Sequence, residues 1–223
     1  MPSNTIERQR ETPARPAEIV REYGPFNEAG TVHGVSYDGS RIWAATGARL
    51  LAIDPASGEV VRTLELACDA GTAFDGEYLY QIAESRIDKI EPATGKVVSS
   101  IPAPGMGCDS GLTWAEGSLW VGNYQGRQIH QVDPATGAIR RTIASNRFVT
   151  GVTWVDGALW HGTWEGDESE LRRVDAHNGD VRERLVLPQG VGVSGLESDG
   201  AGLFYCGGGG SGKVRAVRRP KAS

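Results

Sequence analysis

The chain has 223 residues, 31 of them glycine and 11 proline, and 39% hydrophobic side chains, which fits a folded, turn-dense protein whose core is built from short apolar runs. Its 23 Lys and Arg are outnumbered by 28 Asp and Glu and are spread along the chain, which excludes the clustered positive field of a nucleic-acid surface. No run reaches the roughly 20 apolar residues of a membrane helix, residues 1–18 hold no apolar stretch of signal-peptide length, and three cysteines do not fit a disulfide framework, so a cytoplasmic protein with reduced thiols and no membrane partner is expected.

In chain order, residues 1–15 are polar and proline-containing and read as a mobile leader, and Glu18-Ile19-Val20-Arg21 reads as a strand. Beyond it the same text recurs five times. A glycine opens each unit, in His33-Gly34-Val35, Ala70-Gly71-Thr72, Ser110-Gly111-Leu112, Thr150-Gly151-Val152 and Ser194-Gly195-Leu196, at intervals of 37, 40, 40 and 44 residues. An acidic residue and a glycine follow, as in Asp38-Gly39 and Asp156-Gly157, and then an aromatic strand: Ile42-Trp43, Leu79-Tyr80, Leu119-Trp120, Leu159-Trp160, Leu203-Phe204. A third strand runs into Asp54-Pro55-Ala56-Ser57-Gly58 or its counterparts, where Asp caps the loop, Pro presets φ and Gly takes the left-handed position. A fourth strand closes the unit, as in Glu59-Val60-Val61-Arg62-Thr63-Leu64.

Four short strands in about 40 residues describe a propeller blade, so the expected fold is all-β: a five-bladed β-propeller with four antiparallel strands per blade. A β-sandwich gives no reason for such regular repetition. The fifth unit stops at Val214-Arg215-Ala216-Val217 without a fourth strand, and Glu18-Ile19-Val20-Arg21 matches Glu59-Val60-Val61-Arg62; the N-terminal strand should therefore complete the last blade and close the ring. One domain is expected over residues 16–223, with blades at about 31–67, 68–106, 107–147, 148–190, and 191–218 plus 17–25.

Ligands of propellers sit where the inner strands converge. The residues before the five anchor glycines, His33, Ala70, Ser110, Thr150 and Ser194, should ring the axis, preceded by Val32, Asp69, Asp109, Val149 and Val193. The candidate axial pocket for a small molecule or peptide is thus His33, Asp69, Asp109, Ser110, Thr150 and Ser194, with Trp164, which breaks the repeat at a loop, as a platform. Cys68 and Cys108 occupy equivalent places one blade apart, with His33 one blade before. These are zinc or copper ligand types, and the alternative is two small cysteines packed under the loops. Asp69 and Asp109 equally fit capping of inner-strand turns, and His33 a hydrogen-bonded channel histidine. Trp43, Trp114, Trp120, Trp154 and Trp160 read as core, and Cys206-Gly207-Gly208-Gly209-Gly210-Ser211-Gly212, lacking Gly-Lys-Ser/Thr and a following helix, as a hairpin rather than a phosphate loop.

With five units in one phase, a strand before the first, and blade texts such as Leu79-Tyr80-Gln81 and Leu159-Trp160-His161-Gly162-Thr163-Trp164-Glu165-Gly166-Asp167, the chain resembles the plant and bacterial propeller-type glutamine cyclotransferases over residues 17–217. The resemblance implies cyclisation of an N-terminal glutamine with loss of ammonia, by a buried glutamate that shuttles the proton beside amide and indole donors. Carried over, it puts the family's Thr-Gln-Gly-Leu at Val32-His33-Gly34-Val35 and the shuttle glutamate of Gly-Glu-Gly at Ala70. The Trp of Trp-Gly-Leu falls at Ser110, the Asn-Glu-Leu of the fourth blade at Val149-Thr150-Gly151-Val152, the Asn of Asn-Gly-Ile at Ser194, and a lysine within Gly207-Gly208-Gly209-Gly210; only Trp164 keeps the family's residue type. The expectation is a cyclotransferase-like propeller with a diverged axial pocket, a non-catalytic binder of a small polar ligand, peptide or metal ion. The alternative is an active glutaminyl-peptide cyclotransferase using the displaced acids Asp69 or Asp109.

Overall fold

The computed structural model describes residues 12–26 and 30–221. Among them are 21 strands and no helix. The first blade holds β3 (Gly34–Tyr37), β4 (Ile42–Ala45), β5 (Gly47–Ile53) and β6 (Val60–Cys68); the second β7 (Thr72–Phe74), β8 (Leu79–Ala83), β9 (Arg86–Ile90) and β10 (Val97–Pro102). The third holds β11 (Asp109–Ala115), β12 (Ser118–Asn123), β13 (Gln128–Val132) and β14 (Ile139–Ala144); the fourth β15 (Gly151–Val155), β16 (Ala158–Glu165), β17 (Glu168–Val174) and β18 (Val181–Val186). Blade 5 joins β19 (Gly195–Ser198), β20 (Leu203–Gly207) and β21 (Val214–Arg218) to β2 (Ile19–Tyr23), in the order β19-β20-β21-β2. The fold is a five-bladed β-propeller of antiparallel four-stranded sheets, closed by the N-terminal strand.

The sequence match between β2 and β6 has a physical cause. Arg62 on the outer strand of blade 1 donates to the carbonyls of Pro92 and Ala93 in the Asp/Glu-Pro-Ala turn of blade 2. Arg21 on β2 does the same across the closure, to Pro55 O at 2.7 Å and Ala56 O at 2.8 Å in blade 1. The closing strand therefore makes the same inter-blade latch as an ordinary fourth strand.

Part of the expected leader is described: β1 (Ala14–Pro16) pairs in parallel with β18, Ala14 opposite Arg184 and Pro16 opposite Val186, and makes a fifth strand on blade 4. It covers an edge that would otherwise present unpaired backbone. Residues 1–11 lie outside the described residues.

The anchor glycines are explained by how tightly the inner strands converge. A Cβ on Gly71 would stand 2.5 Å from Leu112 N, one on Gly111 2.5 Å from Val152 N, and one on Gly195 2.7 Å from Gly34 Cα. Backbone rests on backbone around the axis, which leaves no room there for any side chain. Between blades the apolar faces meet through the repeat aromatics: Tyr80 stacks on Trp114 (5.5 Å between centroids), Trp120 on Trp154 (5.3 Å), and Trp160 packs against Phe204 (4.9 Å). Burying each such ring contributes about 1.5–3 kcal/mol, so the blades are held face to face rather than by crosslinks.

Candidate functional site

The mouth of the propeller is the face where the chain enters the inner strands, one residue before each anchor glycine. There Ser110 Oγ donates to Val149 O in the next blade at 2.6 Å, and Ser194 Oγ donates to Val32 O across the ring closure while accepting from Gly209 N at 2.9 Å. These hydroxyls tie neighbouring blades together. Thr150 is different: its backbone N–H bonds to Gly162 O, but its buried hydroxyl has no partner among the described residues. His33 is half-buried, and burial holds its pKa below the ordinary histidine value against the pull of Asp69, so its ring is neutral at neutral pH. Ala70 carries no polar group, and its carbonyl accepts from Gln81 Nε2 at 3.1 Å.

Neither aspartate presents a free carboxylate to this ring. Asp69 is exposed and accepts from Glu84 N at 3.1 and 3.2 Å, capping a hairpin residue of positive φ. Asp109 is buried under the loop from blade 2 and accepts from Gly105 N at 2.9 and 3.0 Å; burial pushes its pKa up to about 6 although the backbone N–H bonds pull it down. Both act as turn caps. Ser110 turns toward blade 4, whereas Asp109, beside a register shift in β11, turns back to the loop from blade 2.

Trp164 lies at the rim, its Nε1 donating to Gly166 O at 3.0 Å. Its ring lies against two glycines: a Cβ on Gly192 would come within 2.5 Å of it and one on Gly209 within 2.6 Å. Gly209 belongs to the glycine-rich stretch, which is the hairpin between β20 and β21. Beside Trp164, Phe148 N donates to Glu165, which also pairs with Arg147; Phe148 stacks on Tyr124 at 4.5 Å, and Arg127 covers the Phe148 ring at 4.4 Å.

The cysteines do not join His33. Cys68 is buried in the blade 1 core with Leu64, Leu79 and Ile90, and burial raises its thiol pKa. Cys108 is half-exposed, its thiol donating to Gln125 Oε1 at 3.4 Å. Among the described residues no group of three or more His, Cys, Asp and Glu is placed to hold a metal ion. The structure thus does not bring His33, Cys68 and Cys108 together as a ligand set, because the fourth strand of blade 1 delivers Cys68 into a core rather than to the axis.

One buried acid escaped the sequence reading. Two residues beyond each anchor glycine the chain carries Ser36, Ala73, Thr113, Thr153 and Glu197, all buried. Glu197 reaches from blade 5 across the axis, accepting from Thr153 Oγ1 of blade 4 and, at 3.4 Å, from Thr113 Oγ1 of blade 3, as well as from Ser198 N at 2.8 Å. Burial pushes its pKa up to about 7, against these hydrogen bonds. It stands on the far side of the glycine constriction from the mouth. Aligning the second residue after each glycine would have found it, as the single acid among small residues.

No family model matches the chain, and no curated protein is similar to it in sequence. Among solved structures it resembles a glutaminyl cyclase of Myxococcus xanthus, with a TM-score of 0.77 and 18% identity over 93% of this chain and 98% of that one. The chain shares the fold of that cyclase. It is also similar to the WD40 propeller domain of Doa1 (TM-score 0.54, 17% identity, 85% of this chain and 64% of that one) and to the propeller domain of Myceliophteria thermophila Cps50 (Swd1) (TM-score 0.51, 13% identity, 85% and 83%). The likeness is much stronger to the cyclase than to the WD40 domains, which agrees with the blade texts. At such identities it concerns the fold, and function rests on the mouth itself.

Proposed function

We propose that this chain is a non-catalytic binding propeller that takes a small polar ligand or the end of a peptide at its axial mouth. The observation that carries this reading is the lack of a free carboxyl among the described mouth residues: Ala70 stands where the resemblance calls for the shuttle glutamate, and Asp69 and Asp109 both cap backbone N–H groups. Cyclisation of glutamine needs one acid that takes a proton from the amine and returns one to the leaving amide, and losing such a group typically costs about 10²–10⁴-fold. What the mouth offers instead is a neutral imidazole at His33, a group that binds an uncharged polar function. The three free thiols fit a reducing compartment, which supports a cytoplasmic location.

A second reading, an active glutaminyl-peptide cyclotransferase, draws support from Asp109, whose pKa of about 6 suits a general base near neutrality. Coupled detection of ammonia with a glutaminyl dipeptide separates the two. The binding reading expects no release above the uncatalysed rate in the wild type and in Asp109→Asn. Robust turnover that Asp109→Asn abolishes would overturn it and install Asp109 as the shuttle.

A further inference from the structure

A transverse row of four residues crosses each blade at the same level, and comparing the five rows isolates blade 4. On the third and fourth strands the rows read Leu51–Thr63, Asp88–Ser100, His130–Thr142, Arg172–Arg184 and Arg215–Glu22. Three of them satisfy themselves across the strands: Asp88 accepts from Ser100 at 2.6 Å, His130 bonds Thr142 at 2.9 Å, and Arg215 pairs with Glu22 at 2.7 Å. Blade 4 alone sets two cations directly opposite each other, an arrangement that is destabilising by itself. His161 continues the row on the second strand, opposite Arg172.

This row lines a cavity of about 790 Å³ between the end of blade 3 and the sheet of blade 4, within the size range of small-molecule sites. Asn146 and Arg147 face it from the end of blade 3, and Asn178, Asp180 and Arg182 from blade 4, where Arg182 is already paired with Asp175 and Asp180, so the side of the cavity left to an anion is that of Arg147 and Arg172. Glu170 is shared by the two row arginines, meeting Arg172 Nε at 2.6 Å and Arg184 Nε at 3.2 Å. Arg172 also donates to Asn146 Oδ1 at 2.7 Å through Nη1, which leaves Nη2 with no partner among the described residues, although the side chain is only 5% exposed. Arg147 uses a single guanidinium nitrogen, on Glu165. Burial lowers the pKa of Arg172 against the pull of Glu170, and the charges of Arg184 and Arg147 lower it further.

His161 adds a different capacity. Its Nδ1 stands 3.2 Å from Gly162 O, and a carbonyl only accepts, so the proton sits on Nδ1 and Nε2 keeps a lone pair with no partner among the described residues. Burial, reinforced by Arg172, pushes its pKa down to about 4, so the ring is neutral in use. The wall therefore combines guanidinium donors, which match phosphate oxygens in planar, forked geometry, with one buried acceptor that calls for a hydroxyl. A bare anion satisfies only the first.

We propose that this cavity is a second binding site, separate from the axial mouth, for a small phosphorylated polyol whose phosphate rests on Arg147 and Arg172 and whose hydroxyl donates to His161. Calorimetric titration of the full chain with glycerol 3-phosphate, inorganic phosphate and glycerol tests it. Glycerol 3-phosphate should bind about fivefold more tightly than phosphate, the margin expected of one added hydrogen bond to a neutral group, and glycerol should not bind. Arg147→Gln, at a partly exposed position, should weaken both phosphates by about tenfold or more, while Arg49→Gln in blade 1 should change nothing. His161 is too buried for its substitution alone to be decisive, so the nitrogen shift of its ring serves as the second readout: the Nε2 resonance should move with glycerol 3-phosphate and stay in place with phosphate. Absence of binding up to about 10 mM, or binding unchanged by Arg147→Gln, would overturn the site. Equal affinity for the two phosphates, or a still Nε2 resonance, would overturn the assignment of a hydroxylated ligand.

Discussion

Replacing Glu197 by Gln tests the axial carboxyl directly. In the folded state its pKa is raised from the ordinary 4.5 to about 7, so the folded chain holds a proton that the unfolded chain releases. The sign follows from linkage: this contribution to stability is fully present below pH about 4.5 and is lost as pH rises through about 7, in all about 3 kcal/mol, an upper estimate for a wholly buried group. His161 has the opposite slope, since its pKa falls from 6.5 to about 4; its contribution is present above pH 6.5 and lost as pH falls toward 4. The two oppose each other between pH about 4.5 and 6.5, where Asp109, raised from 3.8 to about 6, adds a further loss as pH rises, so the wild-type profile alone does not isolate Glu197 and the comparison with the variant does. Gln keeps the shape of a protonated Glu and its acceptor for Thr153 and Ser198 N, but cannot ionise. Urea unfolding at pH 5 and pH 8 should find wild type and Glu197→Gln within about 1 kcal/mol of each other at pH 5, and the variant more stable by about 2–3 kcal/mol at pH 8. A difference of equal size at both pH values would refute the argument, because it would show that Glu197 titrates alike in the folded and unfolded chain.

Thr150→Val should raise the unfolding free energy by about 1 kcal/mol by removing a buried hydroxyl that has no partner among the described residues; a loss of stability in urea titration would show that the hydroxyl is already satisfied. Gly71→Ala should cost about 3 kcal/mol or prevent folding, since its Cβ would meet Leu112 N at 2.5 Å, whereas Gly76→Ala, where nothing lies within 4 Å of the added Cβ but φ is +102°, should cost only about 1 kcal/mol; circular dichroism melts compare the two. Thiol titration of the native protein should find Cys108 reacting promptly and Cys68 and Cys206 only on unfolding, because both are buried and the Cys206 thiol is pushed up to about 12.

The backbone was legible because each blade must solve the same packing problem. The anchor glycine is demanded by backbone contact at the axis, the aromatic by the face between blades, and the Asp-Pro-Ala turn by its own cap, as where Asp54 and Asp133 accept from the N–H groups of the turn; these needs repeat, and so does the sequence. The closure was legible for the same reason, since β2 must present Arg21 to Pro55 just as β6 presents Arg62 to Pro92. The site was less so. Asp69, Asp109 and Cys68 stood at the right level of the sequence, but which way a side chain leaves the chain is set by register and by the loop above it, and Glu84 N, Gly105 N and the core between blades 1 and 2 claimed them in turn.

The repeat also supplies the reference against which a site stands out. A position that is small in four blades and acidic in the fifth, as at Glu197, is not answering the common packing demand, since Ser36, Ala73, Thr113 and Thr153 answer it without charge. The carboxyl there costs desolvation that four neighbours avoid, and it persists only because Thr113 and Thr153 reach it from two other blades. The row of His161, Arg172 and Arg184 departs from its counterparts in the same way, with two arginines opposed and sharing Glu170, where Asp88 meets Ser100 and Arg215 meets Glu22 directly across the strands. In a chain whose fold is written five times, the residues that break the repeat at buried positions are those that stability alone does not account for, and they direct attention to the blade 4 cavity and the axis as much as to the mouth.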